Sequence, residues 1–319
     1  MTATIVVTRK LPDAVEARLR ENFSVMLNPE DAPFTPARLA GALREADGVL
    51  CAVNDIVTPE VLGAEGRRAA ILANFGVGVN NIDLAAAKAA GVIVTNTPGV
   101  LTDATADLAL ALILASTRRM SETEALLRRG EWDGFRPTAW LGTGLQGKTL
   151  GIVGMGRIGQ ATARRACLGF GMKVIYFNRS PVGPFDFPAE ARDGIEPVMA
   201  EADVVSLHIP GGVENRGRIS AALIAAMKPT AYLVNTARGD VIDEPALVAA
   251  LAAGRIAGAG LDVFAEEPKV PPALLDIPGV TLLPHIGSAT LETRTAMGML
   301  AADNLIAHFS GQPLPSRVV

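Results

Sequence analysis

One stretch restricts what this chain can fold into more than any other: Lys148-Thr149-Leu150-Gly151-Ile152-Val153-Gly154-Met155-Gly156-Arg157-Ile158-Gly159. A short apolar run that reads as a buried strand leads straight into Gly-x-Gly-x-x-Gly, and a helical stretch, Gln160 to Leu168, follows. Each glycine has its own task there. Gly154 permits the tight turn off the strand, Gly156 lets the backbone approach a pyrophosphate, and Gly159 lets the helix pack close to the sheet. The helix start adds unpaired N–H groups and the positive end of a dipole, both suited to phosphate. Glycine is common in the chain, 32 of 319 residues, so the motif alone is weak. Its place between strand and helix makes it a dinucleotide site.

The next strand, Met172 to Phe177, ends in Asn178-Arg179-Ser180. A site that prefers NAD usually places Asp or Glu here to accept from the ribose 2′-hydroxyl. This chain instead has an amide, a guanidinium and a hydroxyl, all able to donate to a 2′-phosphate. NADP is therefore favoured, with NAD as the alternative.

Strand-like and helical runs alternate on both sides of this unit. Thr4–Thr8, Gly48–Val53, Ala70–Asn74 and Val92–Asn96 read as strands. Thr35-Pro36, Thr58-Pro59 and Asp83 mark helix starts between them. After Pro98-Gly99 comes a long apolar helix, Asp103 to Arg119, then a charged segment, then Trp132, Phe135 and Trp140. Strands at Asp203–His208, Ala231–Asn235, Ala259–Phe264 and Val280–Leu283 follow the glycine unit, and a long amphipathic helix, Leu291–Phe309, comes last. The tail from Gly311 to Val319 reads as irregular. This alternation predicts an α/β chain of two doubly wound parallel-sheet domains. The second spans residues 99–286. If the closing helix returns to the first domain, that domain is discontinuous, 1–98 with 287–319.

Composition closes off other classes. A net charge of −4 gives no footprint for nucleic acid or an anionic membrane. The longest apolar stretch, Leu108 to Ala115, is far short of a membrane span. No secretory leader is legible at Met1–Lys10. Cys51 and Cys167 sit in apolar surroundings without metal-ligand spacing, and read as reduced residues of a cytoplasmic protein.

In open α/β sheets ligands bind beyond the carboxyl ends of strands. Three polar residues fall there: Arg238 in Thr236-Ala237-Arg238-Gly239, Glu267 before Pro268, and His285 in Pro284-His285-Ile286-Gly287. Reduction of a 2-oxo acid needs a proton donor, for which histidine is suited near neutral pH. A carboxylate against the ring would fix it and favour the imidazolium. A guanidinium would hold the substrate carboxylate in a forked pair. From composition alone, a structural histidine and a surface turn at Glu267 remain open readings.

The ordered motifs go further. Gly76-Val77-Gly78-Val79-Asn80-Asn81-Ile82-Asp83, Asn96-Thr97-Pro98-Gly99, Thr102 to Asp107, the Gly154–Gly159 loop, Asn235 to Gly239, Gly260 to Pro268 and Pro284 to Thr290 run along nearly the whole chain. Together they resemble the D-isomer-specific 2-hydroxyacid dehydrogenase family. Gly130-Glu131-Trp132 and Pro284–Thr290 are most similar to its glyoxylate/hydroxypyruvate reductase branch. The resemblance implies two Rossmann-like domains flanking a cleft. It implies His285 as acid/base, Glu267 as its partner and Arg238 as substrate clamp, with Val77 and Gly78 as backbone contacts to the substrate carboxylate. It implies Met155, Arg157 and Ile158 at the pyrophosphate, Thr105 as a cofactor-side hydroxyl and Asp262 at the nicotinamide amide. Thr236, Ala237 and Gly287, in the same motifs, join the cofactor set, whereas His208 reads as structural. Homodimers through the cofactor domain are usual in such a family, with Trp132–Trp140 where the dimer arm would lie. Glutamate rather than glutamine beside the histidine argues against formate as substrate. The expected partner is a small 2-oxo or 2-hydroxy acid, with NADPH-dependent reduction of glyoxylate or hydroxypyruvate first. An NAD-linked dehydrogenase of another D-2-hydroxy acid comes next, and a dinucleotide-sensing corepressor last.

Overall fold

The structure is a computed structural model and describes residues 2–319. It contains two fully parallel sheets. The first orders its strands β2-β1-β3-β4-β5, with β1 Thr4–Val7, β2 Ser24–Met26, β3 Gly48–Ala52, β4 Ile71–Phe75 and β5 Ile93–Thr95. The second orders its strands β12-β11-β10-β9-β6-β7-β8. These are β6 Thr149–Val153, β7 Lys173–Phe177, β8 Glu190–Ala191, β9 Val204–Leu207, β10 Tyr232–Asn235, β11 Gly258–Leu261 and β12 Val280–Leu282. The chain divides into two compact units, Met1–Leu101 with Ser288–Val319, and Thr102–Gly287. The divides fall later than 98/99 and 286/287. The apolar helix Thr102–Thr117 opens the second unit, and Asp262 holds the Gly287 amide within it.

Helices cover both faces of each sheet, as parallel sheets require. In the five-stranded unit, Val15 and Leu19 of helix Asp13–Asn22 join Ala301, Ala302 and Leu305 of helix Leu291–Phe309 against Ile5, Leu50 and Ile71. Leu39 and Leu43 of helix Pro36–Glu45 pack with Val49, Leu72 and Val94 in a separate core. In the seven-stranded unit, Leu110, Leu112 and Ile113 of Thr102–Thr117 pack with Ala163 and Ala166 of helix Arg157–Phe170 over Leu150, Ile152 and Val234. Val198, Met199, Ile224, Leu247 and Leu251 form another core with Val205, Leu207, Leu233 and Leu261. Each fully buried Leu or Ile in these layers contributes about 1.5–3 kcal/mol.

The helix-start signals act as read. Thr35, Thr58 and Asp83 each accept a backbone N–H three residues on, and Thr290, unread as a cap, does the same for the last helix. Several elements depart from the sequence reading. The helix after the glycine loop begins at Arg157, not Gln160, because Gly156 is its N-cap; half of the motif is therefore helix. The long apolar helix stops at Thr117, and a second helix, Met120–Arg128, fills the stretch before the charged segment Arg128-Arg129-Gly130-Glu131 and ends at its first residue. Strands β2 and β8 and the helix Ile195–Glu201 went unread. The tail is tied down: Val318 N–H donates to Val94 O at 2.7 Å, and Arg317 bridges antiparallel to Thr95. Among the described residues, no helix is long and apolar enough to cross a membrane.

Candidate active site

In the seven-stranded sheet, chain order reverses between β6 and β9, which lie side by side. The loops after them leave on opposite faces and open a crevice at the carboxyl ends of the strands. The glycine motif occupies that point. Gly154 turns at φ +99°, and a Cβ at Gly159 would stand 2.2 Å from the Gly154 carbonyl oxygen. Only a bare Cα lets the helix start that close to the strand. A Cβ at Gly156 would meet nothing within 4 Å. Open space thus faces a helix N-terminus with no side-chain cap, a fit for a pyrophosphate. Thr236 Oγ1 and Thr162 Oγ1 are buried without a hydrogen-bond partner. Thr236 opens the loop after β10 and suits a cofactor polar group; Thr162 lies inside the helix. Thr105 is buried, with its side chain beside Gly287.

Beyond β7 the three residues differ in what they do. The Asn178 amide is engaged: its Oδ1 accepts from Met155 N–H at 2.9 Å and its Nδ2 donates to Ser180 O at 2.8 Å. It ties the glycine loop to the loop after β7. Arg179 is solvated, 3.6 Å from Glu214, and Ser180 is exposed.

Arg238, Glu267 and His285 come together through backbone approach. Asn235, fully buried at the end of β10, accepts from Ala237 N–H and donates to Arg238 O, shaping the turn that carries the arginine. A Cβ at Gly239 would lie 1.9 Å from the Phe264 carbonyl carbon, so glycine lets the loop after β10 lie on the loop after β11. Phe264 N–H then donates to Glu267 Oε1 at 3.1 Å, and Glu267 Oε2 meets His285 Nδ1 at 2.7 Å. Burial pushes the Glu267 carboxyl up, but the hydrogen bond and charge of His285, the Phe264 N–H and Arg238 outweigh it and hold it below its ordinary value. Burial lowers the Arg238 pKa against the opposing charges of Glu267 and Asp240.

His285 sits at φ +54°, a left-handed conformation uncommon for a residue with a Cβ. Asp262 holds it there. His285 N–H donates to Asp262 O, Ile286 N–H to Oδ1 at 2.7 Å and Gly287 N–H to Oδ2 at 2.8 Å. Both Asp262 oxygens therefore serve the histidine loop, a task the sequence did not disclose. Burial raises the Asp262 pKa despite those N–H donors. With Nδ1 on Glu267, the ring's Nε2 makes no hydrogen bond among the described residues. Such an imidazole can pass a proton at one nitrogen while the carboxylate fixes the other. His208 pairs through Nε2 with Ser206 Oγ at 2.9 Å, and burial pushes it down to about 4. It is neutral near pH 7 and lies apart from the Glu267–His285 pair.

Val77 and Gly78 belong to the five-stranded unit, in the loop after β4. Both are half-buried, and neither N–H is hydrogen-bonded among the described residues. Asn235, Gly239 and the asparagines beneath the Val77 loop were missed by sequence reasoning. The one available signal was an asparagine closing or following a buried strand.

Comparison with known proteins gives the chain's family. The profile of the D-isomer specific 2-hydroxyacid dehydrogenase NAD binding domain matches residues 110–287. Glyoxylate reductase of Thermococcus litoralis is 45% identical, with 100% of this chain and 97% of that protein covered. An NADPH-dependent glyoxylate/hydroxypyruvate reductase from Sinorhizobium meliloti, solved with NADP and malonate, superposes with a TM-score of 0.89 at 37% identity, covering 100% of this chain and 97% of that one. A protein from Thermus thermophilus gives a TM-score of 0.90 at 44% identity, covering 99% and 100%. A glycine loop at the switch point of a parallel sheet, full-length likeness to reductases and the matching domain profile converge: the chain belongs to the D-isomer specific 2-hydroxyacid dehydrogenase family and is an NAD(P)-dependent dehydrogenase.

Proposed function

We propose that this protein reduces a small 2-oxo acid, glyoxylate or hydroxypyruvate, to the 2-hydroxy acid with NADPH. The observation that carries this reading is the 2.7 Å pair between His285 Nδ1 and Glu267 Oε2, with Nε2 left for a substrate oxygen. When bound, the nicotinamide supplies a hydride to the carbonyl carbon. His285 gives the proton from Nε2 to the carbonyl oxygen, and Glu267 keeps the ring oriented through Nδ1. Arg238, poorly solvated and fixed by the Asn235 turn, holds the substrate carboxylate and stabilises the developing alkoxide. Val77 and Gly78 give N–H donors to a substrate carboxylate. Thr105, Thr236, Ala237, Asp262 and Gly287 line the cofactor, and the Gly154–Gly159 segment holds its pyrophosphate.

Arg179 carries the NADP preference. Asn178 supports it indirectly, since its amide already braces Met155 and Ser180. The Sinorhizobium meliloti reductase, NADPH-dependent and solved with NADP, supports this cofactor choice. The partner is a second copy of the chain, bound through the seven-stranded unit. Trp132, Phe135 and Leu141 stand 60%, 87% and 68% exposed in one segment of that unit, an apolar surface suited to an interface. The protein acts in the cytoplasm.

The decisive test is the initial rate of NADPH and NADH oxidation with glyoxylate, hydroxypyruvate and pyruvate, side by side. Faster NADPH oxidation with glyoxylate or hydroxypyruvate is the expected result. A clear NADH preference overturns the role of Arg179 and leaves the chemistry standing. No oxidation with any pair overturns the reaction.

A further inference from the structure

Three consecutive carbonyl oxygens in the loop after β4 are captured by donors from neighbouring segments. Gly76 O accepts from Thr97 N–H at 2.9 Å, Val77 O from Asn96 Nδ2 at 2.8 Å, and Gly78 O from Asn74 Nδ2 at 2.9 Å. Asn74 is fully buried, and its Oδ1 accepts from Asn81 Nδ2 at 3.1 Å. That Asn81 amide also donates to Ala52 O at 3.2 Å and Asp55 O at 3.1 Å. Asn96 is braced in turn. Its carbonyl accepts from Ser316 Oγ at 2.5 Å, and Asn304 both donates to Ser316 Oγ and accepts from Ser316 N–H.

A trans peptide group is planar, so the C=O of one residue and the N–H of the next point in opposite directions. The cis peptide bonds of the chain lie elsewhere, at Pro184 and Pro268. Capture of the carbonyls at 76, 77 and 78 therefore turns the N–H groups of Val77, Gly78 and Val79 to the other side of the loop. None of these three N–H groups is hydrogen-bonded among the described residues. Successive N–H groups turned one way make an anion receptor. Without the Asn96 and Asn74 amides the planes that follow Val77 and Gly78 would lose their donors and be free to rotate toward other partners.

We propose that Asn74 and Asn96 are positioning residues for the substrate carboxylate: they hold the peptide planes that present the Gly78 and Val79 N–H groups, next to the Val77 N–H that the Thr97 backbone orients through Gly76 O. Asn81 steadies Asn74, and the Ser316 end of the chain steadies Asn96. The proposal rests on reading Val77 and Gly78 as carboxylate contacts. Receptor groups of this kind bind substrate and transition state alike, so their loss raises KM and spares kcat.

The test uses Asn96→Ala, with Arg67→Ala as control. Arg67 likewise donates to two main-chain carbonyls of the same unit, Ala69 O and Ala90 O, but these precede β4 and β5 rather than follow them. Asn96→Ala is expected to raise KM for glyoxylate at least ~5-fold, with kcat and KM for NADPH within ~2-fold of wild type. Arg67→Ala is expected to lower the melting temperature and leave all three constants unchanged. Asn96→Asp, of the same shape, serves if the alanine variant does not fold. An ionised carboxylate has no donor for Val77 O, so KM rises again, and its ratio to wild type falls as the pH is lowered and the acid regains an O–H. An unchanged glyoxylate KM in a folded Asn96 variant overturns the proposal, as does an equal rise in both KM values. If the wild-type protein turns over no 2-oxo acid, the functional reading itself has failed, and this proposal with it.

Discussion

The two units of this molecule each leave successive backbone N–H groups without a partner among the described residues, and they do so with different parts. In the seven-stranded unit the donors sit at the start of the 14-residue helix Arg157–Phe170, so the dipole and the free first-turn N–H groups do the work. In the five-stranded unit no helix begins at the loop after β4; Asp83 caps the next one, at Leu84. There the peptide planes are held one by one from below by Thr97, Asn96 and Asn74. The difference teaches where each receptor is fragile. A helix terminus is set by the helix and fails when the glycine approach is blocked. A pinned loop depends on individual amides and fails when one of them is removed.

The largest effects are expected at the chemistry itself, on the helix-terminus side of the comparison. His285→Ala and Arg238→Ala should each lower kcat/KM by at least ~100-fold, the lower range for a positioned acid. Steady-state rates with glyoxylate check this, and losses under tenfold in both would remove them from their roles.

Next come two glycines of one motif. Gly159→Ala forces a Cβ against the Gly154 carbonyl oxygen and should cost ~1–3 kcal/mol of stability as overpacking does, read as a lower melting temperature. Gly156→Ala has open space around its Cβ. It should melt near wild type yet raise KM for NADPH roughly tenfold, about 1.4 kcal/mol, by occupying the phosphate side. If the two variants behave alike, the distinction between packing glycine and binding glycine is lost.

Arg179→Ala should weaken NADPH by about tenfold, the scale of one charge-assisted hydrogen bond, and leave KM for NADH nearly unchanged. Equal effects on both cofactors would take selectivity away from this loop.

The smallest effect is the pH dependence of stability. His208 is pushed down to about 4 by burial, below its ordinary 6.5. The unfolded chain therefore binds this proton first, and stability present above pH 6.5 is lost as pH falls toward 4. Glu267, held below its ordinary 4.5, adds a loss only below that value. His208→Gln should flatten the fall in melting temperature between pH 6.5 and 4, and Glu267→Gln only the portion below about 4.5. An unaltered curve in His208→Gln would remove the histidine as the cause.

Much of this molecule was legible from local signals. Caps at Thr35, Thr58 and Asp83 mark helix starts because each side chain serves an N–H three residues away. The glycine motif is legible because its glycines, each with its own task, fall within six residues between a strand and a helix. Elements without burial left no trace: β2 and β8 lie at sheet edges with exposed or half-buried residues, and helix Met120–Arg128 buries none of its side chains. The two strands, three and two residues long, are too short to show an alternation.

The sequence by itself determined the alternation of strands and helices, the dinucleotide loop and the identity of the three polar residues at strand ends, since all of these depend on neighbours within a few positions. Only the tertiary structure decided that Asp262 holds the His285 loop, that Asn178 braces the glycine loop, and that asparagines at 74, 81 and 96, steadied by residues 304 and 316, hold one short loop. These hydrogen bonds join residues brought together by the stacking of parallel strands, whose partners lie a whole crossover apart in the chain.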